Sequence, residues 1–311
     1  MSDFLIRPKE LGLYLTRQCN LSCPTCLFRL QQENFHSFQQ LTYEQAISII
    51  DFYRLRGIER IFLQSEGEII LYNDYWRILD YCRNVGHPVR HCITNGILID
   101  KYLPDILKNF QTISISIDGF DSNSYGARRG GKSETFRKIC SNIKLLSDKS
   151  HNDNIACKIH INCVLTASNF QIIPKMIKLA ESLNVYSLKF RNYHRYQKND
   201  REAPLYKTQS ILNFLKVYQG YKSNVKIKWP ELYNSIGKFN CKMLFDTVTI
   251  GSDGNFATCC HIPSNNENGS FFDSPFLFNS EPILSFRRQF HQANAIKQLP
   301  FQCQECPRLH S

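Results

Sequence analysis

The sequence predicts an α/β fold carried on a parallel sheet, open or barrel-like, with a smaller cysteine-bearing extension behind it. Three observations predict it. Short β-rich apolar runs alternate with longer amphipathic runs from residue 11 to residue 191. The alternation stops near Tyr193, where the polar stretch NYHRYQKNDREAP follows. Eight of the thirteen cysteines fall into two groups, one just behind the first strand and one in the last quarter of the chain.

The elements follow in order. LGLYLT (11–16) reads as the first strand. TYEQAISIIDFYRLRG (42–57) has apolar residues at helical spacing, a Thr at its start and a Gly at its end. ERIFLQ (59–64) is a second strand, DYWRILDYCRNVG (74–86) a helix closed by Gly86, and VRHCIT (89–94) a third strand running into the turn Asn95-Gly96. QTISISID (111–118) alternates at period two and is a fourth strand. SETFRKICSNIKLLS (133–147) is a helix, KIHINCVLT (158–166) a fifth strand, QIIPKMIKLAESL (171–183) its helix and YSLKFR (186–191) a sixth strand. In such folds the active site lies at the carboxyl ends of the strands. Residues 1–195 are assigned to the core, and 196–311 to a linker helix and an auxiliary domain.

The 311 residues suit one large α/β domain with an appendage. No apolar run is long enough to span a membrane, and MSDFLIRPKE lacks the apolar region and cleavage site of a signal peptide. The expectation is a soluble, cytoplasmic protein with no membrane partner. Thirteen cysteines in that compartment point to metal or redox chemistry rather than disulfides. Cys82, Cys92, Cys140, Cys157 and Cys163 lie in apolar patterns and read as small buried hydrophobes. The net charge of +11 is dispersed, with no dense Lys/Arg run, so a nucleic-acid partner is disfavoured.

TRQCNLSCPTCLFR (16–29) carries Cys19, Cys23 and Cys26 at the spacing C-x3-C-x2-C. Three thiolates can hold three irons of a [4Fe–4S] cluster and leave the fourth open to a chelating ligand. A zinc site would need a distant fourth ligand or a water.

Here the sequence resembles the radical S-adenosylmethionine (radical SAM) superfamily, whose signature is C-x3-C-x2-C after the first strand of a partial (β/α)6 barrel. QSEGEIIL after the second strand is similar to the family's Gly-Gly-Glu-Pro segment, with Glu66, Gly67 and Glu68 at the matching places and Ile69 where proline is usual. TNGILI after the third strand matches a Thr-Asn-Gly turn through Thr94 and Asn95, and SISIDG matches Ser-x-Asp-Gly through Ser116 and Asp118. YGARRGG resembles Tyr-x3-Arg-Gly-Gly, with Arg129 as its arginine, and Asn169 follows the fifth strand. Thr25 stands where an aromatic residue often precedes the third cysteine.

The resemblance implies a partial (β/α)6 TIM-like barrel and two cofactors at one site. S-adenosyl-L-methionine would chelate the open iron of a [4Fe–4S] cluster on Cys19, Cys23 and Cys26, and its reductive cleavage would yield a 5′-deoxyadenosyl radical. Glu66, Gly67 and Glu68 would hold the methionyl amino group, Arg129 the carboxylate and Ser116 the ribose or carboxylate. Thr94, Asn95, Asp118 and Asn169 would be further cofactor contacts. An electron donor such as flavodoxin or ferredoxin is implied as a partner.

The second group reads CKMLFDTVTIGSDGNFATCC and FQCQECPRL. Two strand-like runs about the turn SDGN predict a β-hairpin bringing Cys241 and Cys259 together, and Cys303 and Cys306 complete four thiolates. A zinc ribbon is one reading. The resemblance gives another: a SPASM/twitch-type extension in its short, twitch form, with Gly254 five positions before Cys259 and a second, auxiliary [4Fe–4S] cluster. Such a cluster would accept an electron from the substrate radical, giving a dehydrogenase-like oxidoreductase similar to the radical SAM dehydrogenases of aminocyclitol biosynthesis. Cys260 either packs, replaces Cys259 as ligand, or donates a hydrogen atom and makes the enzyme an epimerase.

Only 18 residues precede Cys19, so no fused leader-binding domain is expected. This tilts the substrate toward a sugar or cyclitol, with a ribosomal-peptide maturase as the alternative. Arg191 and His194, after the last strand, are candidates for substrate binding or proton removal, beside Tyr193, Arg195 and Tyr196, and His261 is another candidate. A reading of another class is a non-enzymatic metal-ribbon protein that binds nucleic acid.

Overall fold

The computed structural model describes residues 4–26, 28–29, 39–153, 155–195, 202–203, 205, 209–230, 239–304 and 306. The elements run β1 (Glu10–Tyr14), α1 (Tyr43–Arg54), β2 (Arg60–Gln64), α2 (Tyr75–Asn84), β3 (His91–Thr94), α3 (Leu103–Asn109), β4 (Thr112–Ser116), α4 (Ser122–Arg129), α5 (Ser133–Asn152) and β5 (Lys158–Leu165). They continue with α6 (Ile173–Ser182), β6 (Ser187–Asn192), α7 (Gln209–Gln219), β7 (Lys226–Lys228), α8 (Lys242–Phe245), β8 (Thr247–Ile250), β9 (Phe256–Ala257), α9 (Glu281–Gln292) and α10 (Phe301–Gln304). The chain forms two compact units that alternate along the sequence. One comprises Met1–Asn20, Leu27–Val89 and Ser235–Ser311, the other Leu21–Cys26 and Arg90–Asn234.

The first unit holds a sheet of order β2-β1-β8-β9. β1 pairs in parallel with β2 and β8, so both its edges are hydrogen-bonded and all five residues are buried. β8 and β9 form the expected hairpin, antiparallel through Thr249–Ala257 and Ile250–Phe256. Its turn needs Gly254, whose φ is +80°. α1 starts at a capping box: Gln45 N donates to Thr42 Oγ1 at 3.2 Å, and Thr42 N donates to Gln45 Oε1 at 2.9 Å.

The second unit holds a sheet of order β3-β4-β5-β6-β7, every pair parallel. Ile113, Ile115, Ile159, Ile161 and Leu188 on one of its faces are buried, as are the apolar stripes of α5 (Phe136, Ile139, Ile143, Leu146) and α6 (Ile173, Met176, Ile177, Ala180).

All six strands read from the sequence are present, within a mixed α/β fold built on parallel sheets. Two more parallel strands lie beyond Tyr193, where the sequence rhythm fails. β7 adds to β6 and β8 to β1. At three residues β7 is too short to show a period, whereas β8 is the first of the two strand-like runs about SDGN and only its parallel pairing with β1 is invisible in the sequence. α3 and α4 were also not anticipated, being one to two turns long. Among the described residues no disulfide forms and no helix is long and apolar enough to cross a membrane.

Candidate functional site

In the first unit, the segment after β2 is laced onto the segment after β1. Glu66 N and Gly67 N both donate to Thr16 O, at 3.0 and 3.2 Å, and Glu68 N donates to Gln18 O at 2.6 Å. Gly67 permits this contact: a Cβ there would stand 2.1 Å from Gln18 O and 2.5 Å from Arg17 O. The backbone leading to Cys19 is thereby fixed against the Glu66-Gly67-Glu68 turn. Glu66 is buried, and its carboxylate accepts from Arg17 Nε at 2.9 Å and from Ser252 Oγ. Arg17 also reaches Asp253 at 3.0 Å and Gln39 at 3.1 Å. The Glu66 side chain thus ties the ends of β1 and β2 to the β8–β9 turn. Glu68, also buried, accepts from Ile70 N at 3.4 Å and caps the short 3-10 turn Ile69–Leu71.

In the second unit, Cys26 N donates to Cys23 O at 3.2 Å in a tight turn. Arg129, at the end of α4, lies against the Cys23 thiol and pairs with Asp118 at 2.6 Å. Burial pushes the Cys23 thiol up, while Arg129 pulls the other way. Asp118, buried at the end of β4, also accepts from Val164 N at 2.7 Å. The glycines of YGARRGG have a visible purpose. Gly130, with φ +68°, brings α4 against the cysteine loop so closely that a Cβ would meet Ser22 O at 2.7 Å. Gly131 leaves room for the Tyr125 ring, 2.7 Å from where its Cβ would stand. An arginine held by a carboxylate and pressed onto a cysteine suits a deprotonated sulfur, and so fits a metal-ligating thiolate.

Thr94 and Asn95 are buried and shape their own turn: Thr94 Oγ1 accepts from Gly96 N at 3.1 Å and Asn95 Oδ1 from Ile97 N at 3.0 Å. Asn169 closes the end of β5, accepting from Thr166 N at 2.7 Å and donating to Val164 O at 3.1 Å. Ser116 is half-buried at the end of β4, in register with Asn162. Arg191 is exposed near the end of β6, and His194 is buried two residues beyond that strand. Tyr196 lies outside the described residues.

The second cysteine group converges. Cys241, Cys259, Cys303 and Cys306 line one small apolar cavity in the first unit, with Cys260 and His261 on its wall. Burial pushes the Cys259 thiol well up, with Cys260, Cys303 and Cys306 adding to the effect. Cys303 is likewise pushed up by burial, then by Cys306 and Cys241. The buried Cys259 and Cys303 thiols thus resist ionisation, and a bound cationic centre is what would reverse that. The donor set therefore fits a closed four-cysteine metal or cluster site. Cys260 O accepts from Tyr14 Oη at 3.1 Å, which anchors the Cys-Cys step to β1.

Sequence reading missed Arg17 and Ser252, the groups that hold Glu66. The sequence gives no sign of contacts between residues 49 and 186 positions apart.

A family model of the radical SAM superfamily matches residues 13–177. The chain is 24% identical over 280 residues to the antilisterial bacteriocin subtilosin biosynthesis protein AlbA of Bacillus subtilis (strain 168), covering 88% of this chain and 60% of that protein. It is 27% identical over 165 residues to the S-adenosylmethionine-dependent nucleotide dehydratase of Selenomonas ruminantium, covering 51% of this chain and 57% of that protein. The chain thus spans less than two thirds of the length of these curated relatives. Among solved structures, Streptococcus suis SuiB bound to precursor peptide SuiA shares the fold with a TM-score of 0.68 at 16% identity, over 98% of this chain and 72% of that one. Native anSMEcpe with bound AdoMet gives a TM-score of 0.66 at 15% identity, over 92% of this chain and 84% of that one.

Proposed function

We propose, from the premise that the chain belongs to the radical SAM superfamily, that it is a radical enzyme that oxidises a peptide substrate. The superfamily's cofactors are S-adenosyl-L-methionine and a [4Fe–4S] cluster, here assigned to Cys19, Cys23 and Cys26. When bound, they supply a hydrogen-abstracting radical, and a second cluster on Cys241, Cys259, Cys303 and Cys306 supplies an acceptor for one electron. The chain's own residues prepare the site. Arg129, braced by Asp118, lies on Cys23 and favours its thiolate. Gly67 and the Arg17–Glu66 pair hold the approach to Cys19. Residues 1–195 act as the catalytic core and 196–311 carry the auxiliary set. Flavodoxin or ferredoxin is the proposed reductant.

The observation that carries the substrate class is coverage. The matches to AlbA and SuiB extend over 88% and 98% of the chain, whereas the nucleotide dehydratase matches about half. AlbA serves bacteriocin biosynthesis and SuiB binds a precursor peptide. This supports a peptide over the sugar or cyclitol suggested by the sequence alone. Cys260, on the cavity wall beside Cys259, keeps epimerisation as the second reading.

The test is iron content after anaerobic reconstitution, with 5′-deoxyadenosine release under dithionite. Wild type should hold about eight irons, and the Cys19/Cys23/Cys26→Ala variant about four with no cleavage. A wild-type chain that binds zinc alone and releases no 5′-deoxyadenosine overturns the reading. A peptide product lighter by two hydrogens supports oxidation; solvent deuterium at one carbon supports epimerisation.

A further inference from the structure

Parallel sheets are ordinarily apolar on both faces. The five-stranded sheet of the second unit departs from this on one face. Residues in register on neighbouring strands share a face, and alternate residues along each strand share it too. From β4 to β7 the row Ser116, Asn162, Lys189, Lys228 lies on that face. Arg191 stands one step further toward the carboxyl ends, beside Val164. One step the other way is a polar floor of Ser114, His160 and Ser187, all buried, in which His160 Nδ1 and Ser187 Oγ are 2.6 Å apart. No Asp or Glu occurs in any of the five strands.

Edge lysines commonly guard a sheet against pairing with another chain, which accounts for Lys226 and Lys228 on β7. It does not account for Lys189, which sits on an inner strand between β5 and β7. Lys189 is half-buried, and among the described residues the charges that act on it are Arg191 and Lys228, both of its own sign. Burial first, and those two neighbours next, pull its ammonium down to about 8. A half-buried cation among cations is costly unless an anion joins it.

We propose that this sheet face is a binding site for an anionic group of the substrate, a carboxylate or a phosphate, held by Lys189 with Lys228 beside it in register. The proposal rests on the reading of the chain as an enzyme with a bound substrate, but its test requires no turnover. A peptide substrate would then present an acidic side chain or its terminus here.

The experiment is calorimetric titration of the full chain with two probes, triglutamate and inorganic pyrophosphate. It uses wild type, Lys189→Met, Lys189→Arg and, as a control for net charge, Lys144→Met on the exposed part of α5. The expected result is binding of at least one probe, weakened tenfold or more by Lys189→Met and retained in Lys189→Arg and Lys144→Met. Triglutamate alone assigns a carboxylate, and pyrophosphate alone a phosphate. Binding of neither probe, equal affinity in Lys189→Met, or equal loss in Lys144→Met overturns the proposal. Loss of 5′-deoxyadenosine release without loss of probe binding would count against the proposed function and leave this site standing.

Discussion

Substituting Gly67 by alanine tests whether the approach to Cys19 is built by backbone contact. The φ of Gly67 is not in the left-handed region, so any cost arises from space alone. A Cβ would stand 2.1 Å from Gln18 O and 2.5 Å from Arg17 O, well inside the ~3.3 Å of an ordinary carbon–oxygen contact. The neighbours are main chain and cannot swing away, so the two segments must separate. Three hydrogen bonds span the gap: Glu66 N and Gly67 N to Thr16 O, and Glu68 N to Gln18 O. At ~1 kcal/mol each, their loss costs about 3 kcal/mol. With each kcal/mol worth roughly 2 °C in a chain of this size, the midpoint falls by about 6 °C. Thermal melting of the apo chain by circular dichroism measures this, beside Gly220→Ala, where nothing lies within 4 Å of the added Cβ. The control should move by less than about 0.5 kcal/mol. Iron content on Cys19, Cys23 and Cys26 should fall in the Gly67 variant alone. A Gly67→Ala protein that melts with wild type and takes up the same iron refutes the reasoning.

Three further outcomes follow from buried charge. Arg17→Met strips the buried Glu66 carboxylate of its ion pair and should cost ~3–5 kcal/mol, while the double variant with Glu66→Gln should recover part of it in urea melts. Burial first, and Lys189 next, pull the His160 imidazole down to about 4. The unfolded chain therefore takes up the proton before the folded one does. The stabilisation is full above the unfolded value of about 6.5 and is lost as pH falls from there to about 4, a difference on the order of 2 kcal/mol that should be smaller in His160→Asn. Arg287, buried in α9, donates to Leu244 O at 3.1 Å, Phe278 O at 3.0 Å and Asn279 Oδ1 at 2.7 Å, so Arg287→Met should destabilise by ~3 kcal/mol or more on chemical denaturation.

What the sequence discloses depends on the range of the interaction. The six strands, α1 and its Thr42 cap are local patterns of period and capping, and they are readable at once. Arg129, Gly130 and Gly131 are visible as a motif, but their work is not. It consists of pressing α4 onto Ser22 and an arginine onto Cys23, more than a hundred residues away. Glu66 illustrates the same limit from the other side. The motif marks it as a cofactor acid, yet its carboxylate is engaged by Arg17 and Ser252, so its direct effect is to fix the turn that presents Gly67.

The polar sheet face is only half legible in the sequence, for a physical reason. SLKFRN alternates strictly, with Ser187, Lys189 and Arg191 on one side and Leu188, Phe190 and Asn192 on the other. Alone, that pattern describes any strand with one face in water. Only the register adds the decisive fact, because it sets Lys189 between Asn162 and Lys228 on an inner strand of a parallel sheet. A polar row at the edge of a sheet is solvation. The same row in its interior, bearing a lysine whose charged neighbours among the described residues are both cations, is a place suited to a counter-charge. Period identifies the strand, and pairing decides which of those two it is.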